Sequence, residues 1–80
     1  MAIGMINAFK NYGITIPKDL NIIGFDDVDV SKYINGGLST VGVLHENWGI
    51  HVAKDMLSIL KGDAVETQQI VGVKLIKRNT

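Results

Sequence analysis

The chain has 80 residues, enough for one small domain that hides only about 60–65% of its unfolded surface. Eight basic residues balance eight acidic ones, and the only basic cluster is Lys74, Lys77 and Arg78, so these residues alone do not make a phosphate-binding DNA module. Hydrophobic residues reach 46% against 20% charged, which excludes disorder, and the absence of cysteine excludes disulfides and thiolate metal sites and suits a cytoplasmic protein.

Residues 2–12 read as a helix. Ala2, Met5, Ile6, Phe9 and Tyr12 recur at spacings of three and four, which puts them on one face. Gly13 is the stop, because glycine takes the left-handed backbone without strain. No capping side chain precedes this helix, which suggests a segment of a longer chain. Pro17 closes a short connector. Leu20 to Phe25 is an apolar run of the kind expected for a central parallel strand covered on both faces. Asp26 and Asp27 end it. Residues 26–37 read as an irregular loop with a helical turn near Ser31–Tyr33, closed by Gly36-Gly37.

Leu38 to Leu44 is the second predicted strand. Residues 46–61 read as a second helix, with Ile50, Ala53, Leu57 and Leu60 on one face and Val52, Met56 and Ile59 widening it. Gly62 is its stop. Ile70 to Ile76 is a third strand, with Val71, Val73 and Leu75 on one side. The order α-β-β-α-β places the chain in the α/β class. A parallel central strand needs neighbours on both edges, and these elements do not supply them all. No apolar run approaches the roughly 20 residues of a membrane span, and Met1-Ala2-Ile3-Gly4 is not the start of a secretory signal.

Asp26, Asp27 and Asp29 cluster just past the first predicted strand. Ligands of open α/β sheets bind beyond the carboxyl ends of strands, and a carboxylate accepts hydrogen bonds from the vicinal hydroxyls of a sugar. Asp26 is therefore the candidate contact; the competing reading is that Asp27 or Asp29 caps a turn and Asp26 is merely solvated. The spacing Asp27, Asp29, Ser31 imitates a calcium loop, but Lys32 and Leu38 stand where glycine and a bidentate glutamate are required. His45 and His51 are six apart, not the four that zinc hydrolysis needs on one helix face. Trp48 is the only tryptophan and suits either a sugar-stacking wall or plain packing. No phosphate loop or nucleophile elbow occurs, so no metal, no cofactor and no enzymatic activity is expected.

The ordered motifs resemble those of the LacI/GalR transcriptional regulators. Met1-Ala2-Ile3-Gly4 with Ala8 is similar to that family's M-A-x-G-x-x-x-A helix. Gly13 to Leu20 resembles its G-x-x-I-P-x-D connector, and Ile22 to Asp27 its V-V-G-F-D-D strand end. Leu38-Ser39-Thr40-Val41 resembles L-T-T-V, Gly49 and Ala53 match the helix that follows, and Leu75 to Thr80 resembles the closing L-I-x-R-x-S/T. Val43-Leu44 departs from the family's Q-P or similar pair.

The resemblance implies part of a periplasmic-binding-protein-like fold of two α/β lobes. Residues 1–38 would belong to one lobe, 39–44 to the hinge crossover and 45–76 mainly to the other. It implies a sugar or related effector held between the lobes by Asp26, with Trp48 and His45 as further contacts. It also implies a homodimer formed through the first helix and the Tyr33–Gly36 segment, with Ile3, Ile6 and Tyr33 at the interface. The helix-turn-helix that binds DNA lies outside these residues, so DNA binding and repression would belong to the full-length protein. A periplasmic sugar-binding protein of a transport system is the alternative, and a truncated product that only dimerises is a third.

Overall fold

The computed structural model describes residues 1–80. The elements run α1 (Ala2–Asn11), β1 (Gly24–Phe25), a 3-10 segment (Asp29–Gly36), β2 (Thr40–Gly42), α2 (His45–Leu60) and β3 (Lys74–Ile76). This is the expected order, with the 3-10 segment ordering what the sequence suggests is an irregular loop. That segment is two turns joined at a kink, since Ile34 and Asn35 leave helical geometry.

Both helices end as their glycines dictate. Gly13 takes φ +74° and Gly62 takes φ +87°. The amide of Gly13 donates to Lys10 and that of Ile14 to Phe9; Gly62 donates to Ile59 and Asp63 to Ser58. This paired pattern is the Schellman closure, which satisfies carbonyls left open at a helix end. Neither helix has a side-chain cap at its start.

The sheet order is β1-β2-β3. β1 and β2 are parallel, with Gly24 opposite Thr40 and Phe25 opposite Val41. β2 and β3 are antiparallel, with Val41 opposite Leu75 and Gly42 opposite Lys74. The ladders are shorter than the apolar runs that announce them. The expected strand Leu20–Phe25 is parallel, but it lies at the sheet edge rather than its centre. Ile23 stays 60% exposed and Phe25 67%, because no strand flanks β1 on its other side. Residues 38–44 and 70–76 likewise contribute only three laddered residues each.

Two compact units form. The first comprises Met1–Val43 with Lys74–Thr80, the second Leu44–Val73. β2 is thus within the first unit, and β3 returns to it. Strand pairing outweighs chain order here: Lys74–Ile76 hydrogen-bonds to β2.

The core of the first unit is Ile6, Ile16, Ile22 and Leu38, with Ala2, Ile3, Phe9 and Ile34 packed against it. The expected face of α1 is therefore rotated. Ile3 joins the core side, while Tyr12 is left exposed. Burying one side chain of this size contributes about 1.5–3 kcal/mol, so four such residues make a small core. The second unit is α2 followed by a turn and an extended segment. No residue of α2 is buried; Ile50, Leu57 and Leu60 of its apolar face stay open to solvent.

Candidate ligand-contact loop

The loop after β1 is built on two consecutive residues with left-handed backbone. Asp26 has φ +91° and Asp27 has φ +46°. Aspartate tolerates this region better than most residues, but it still carries strain of about 1–3 kcal/mol per residue. Three contacts hold the loop. The Asp26 amide donates to the Val41 carbonyl at 2.7 Å, which continues the β1–β2 ladder one residue past its end. The Asp27 amide donates to Thr40 Oγ1 at 3.3 Å. The Asp27 carboxylate Oδ1 pairs with Arg78 Nη1 at 2.8 Å. That oxygen is enclosed and has no aligned hydrogen bond, so the contact with Arg78 is an ion pair by distance.

The consequence for Asp26 is positional. It stands at the carboxyl end of a parallel strand with its side chain at the surface, while its neighbour Asp27 is turned inward against β2 and the C-terminal tail. The two carboxylates are placed differently. Asp27 fastens the loop and Asp26 faces outward. Asp26 is also the one charged residue lining an open depression of about 750 Å³ along the edge of β1, walled mainly by apolar groups such as Met5, Ile23, Phe25 and Val28.

The tail supplies further ties. Arg78 Nη1 also donates to the Leu38 carbonyl at 2.9 Å, and the Arg78 amide to Ser39 Oγ at 2.9 Å. Thr80 Oγ1 accepts from the Ser39 amide at 2.8 Å and donates to the Ile22 carbonyl at 2.7 Å. Asn79 Nδ2 donates to the Asn35 carbonyl. Gly42 makes room for this arrangement: a Cβ there would come within 2.6 Å of Ile76 Cδ1 and 3.5 Å of Asp27 Cβ.

The other expected contacts belong to the second unit. His45 opens α2 and is exposed. Trp48, one turn on, is 45% exposed, and its amide donates to the Leu44 carbonyl; it is not enclosed by packing. Of the expected interface residues, Tyr33 is 80% exposed and Ile3 half-buried. Ile6 requires correction. It is 0% exposed and fills the centre of the core, because one turn of α1 points it at Ile16, Ile22 and Leu38. A side chain with no accessible surface has none to offer a second copy. Sequence reasoning missed Asp27, Arg78 and Thr80 as a linked set. The only signal was the closing L-I-x-R-x-S/T pattern, which names the residues and not their partners.

The profile of the periplasmic binding protein-like domain matches residues 1–80. The chain belongs to that family, in its LacI/GalR branch. The transcriptional regulator GalR of Streptococcus thermophilus is 35% identical over 82 residues, covering 100% of this chain and 24% of that protein. The dimeric Lac repressor with an 11-residue C-terminal deletion superposes with a TM-score of 0.93 at 28% identity, over 99% of this chain and 29% of that one. A periplasmic binding protein/LacI transcriptional regulator from Alkaliphilus metalliredigens, complexed with D-xylulofuranose, superposes with a TM-score of 0.90 at 30% identity, over 99% of this chain and 30% of that one. The LacI/GalR chain thus spans about a quarter of the length of the relatives it matches. No helix in it is long and apolar enough to cross a membrane.

Proposed function

We propose that this chain is an effector-contacting part of a LacI-type repressor, and that its first contact is a sugar hydroxyl pair on the Asp26 carboxylate. The observation that carries the reading is the Asp26 loop: a surface carboxylate at the carboxyl end of a parallel strand, held in left-handed backbone by the Val41 carbonyl. Sugar capture by a relative with the same fold, the D-xylulofuranose complex, supports the ligand class. His45 and Trp48 are proposed contacts from α2, Trp48 through stacking on a sugar face. Pairing of two copies through Ile3 and the Tyr33 segment is the proposed dimer contact, supported by the dimeric form of the Lac repressor relative. DNA binding belongs to a helix-turn-helix outside these 80 residues, and the protein works in the cytoplasm. Effector binding changes repression by favouring one of two arrangements of the regulator.

The test is Asp26→Asn in the full-length regulator, a change that keeps shape and removes charge. Each charge-assisted hydrogen bond contributes about 1.5–3 kcal/mol, so sugar-dependent release from operator DNA should weaken at least about tenfold. Operator affinity without sugar should stay unchanged. Native induction by the same sugar in the variant rejects the assignment.

A further inference from the structure

We propose that Arg78 is a positioning residue for the Asp26 ligand contact, acting through Asp27; the inference rests on the reading of Asp26 given above. Asp26 and Asp27 both adopt positive φ, a conformation that the local chain resists. The backbone amides of the loop are engaged from β2 alone. The ion-pair partner of Asp27 comes from the tail: Arg78 Nη1 stands 2.8 Å from Oδ1.

Both members of the pair are mostly withdrawn from water, with side chains 18% and 24% exposed, so solvent screening weakens the attraction less than at an open surface. The same Nη1 is anchored on the Leu38 carbonyl, and the Arg78 backbone is anchored on Ser39 Oγ. The guanidinium is thus fixed to the strand segment that carries Thr40 and Val41, the two residues that hold the loop amides. Asp27 is tied at its amide and its carboxylate to one rigid frame. Asp26, one residue earlier, inherits its backbone direction from that frame. Arg78 touches no proposed ligand group; it sets where the Asp26 carboxylate stands.

Two variants of the full-length regulator test this, Arg78→Met and Arg78→Lys. Hydrogen–deuterium exchange compares a peptide covering residues 24–30 with one covering 3–11 in α1. Calorimetry measures binding of D-ribose, D-galactose, D-xylulose and maltose, with Asp26→Asn as control. In Arg78→Met, exchange in 24–30 should rise about tenfold while that in 3–11 stays within about twofold, and affinity for the tightest of the four sugars should fall about tenfold. Arg78→Lys, which keeps the charge, should remain within about threefold of native in both readouts. Unchanged exchange in 24–30 overturns the proposal. So does an equal rise in both peptides, because Arg78 would then support the fold as a whole. Native sugar binding by Asp26→Asn rejects the ligand reading separately, and the exchange comparison still decides whether Arg78 positions the loop.

Discussion

The two units of this chain solve the problem of polar and apolar groups in opposite ways. The first encloses Ile6, Ile16, Ile22 and Leu38 and ties buried polar groups to named partners: the Ser39 amide donates to Thr80 Oγ1, which donates to the Ile22 carbonyl, and Ser39 Oγ accepts from the Arg78 amide. The second buries no residue of its helix. Its cross-links are polar and exposed: Gln69 contacts His51, Asp55 and the Glu66 carbonyl. An enclosed hydrogen bond is costly to break because water cannot replace the partner, while an exposed one is exchanged for water at little cost. Local order in the first unit therefore has an energetic basis within the chain, and that in the second is shallow.

Denaturant titrations can break or sharpen this contrast. The largest effect is expected from Ile6→Ala, which empties the centre of the core and should cost about 2–5 kcal/mol of stability. A cost near that of a surface change would mean the four-residue core is not the unit's foundation. Thr80→Val keeps shape but strands the Ser39 amide and the Ile22 carbonyl, at about 1–3 kcal/mol for each group left without a partner. Restoring most of that stability with Thr80→Ser would assign the loss to the hydroxyl rather than to packing. Gln69→Ala should be the smallest, within about 0.5 kcal/mol. A loss of several times that amount would show the second unit to be held more firmly than its exposed contacts imply.

The same contrast explains which expectations from the sequence held. Helix ends were legible because Gly13 and Gly62 act within one turn of their own helices. The order of elements followed from the apolar runs. The extent of the strands did not, since a ladder needs partners: Leu20–Phe25 has strand composition, yet only Gly24 and Phe25 find a ladder in β2. The apolar face of α1 was read rightly at Ile6 and wrongly at Tyr12, because both fit a helical stripe and only contact with Ile16, Ile22 and Leu38 decides which one is enclosed. The family was legible throughout, from motifs that keep their order and spacing.

The sequence by itself determined the α/β class, the two helix stops, the LacI/GalR kinship and the choice of Asp26 as the carboxylate to watch. These depend on residue type and short spacing, where physical preference is local. Only the tertiary structure decided that Asp27 turns inward to Arg78 while Asp26 faces out, and that β3 and the tail return to β2 after the second unit. Those outcomes join residues far apart in the chain, and an ion pair or a strand ladder carries no mark in either partner's neighbourhood until folding brings them together.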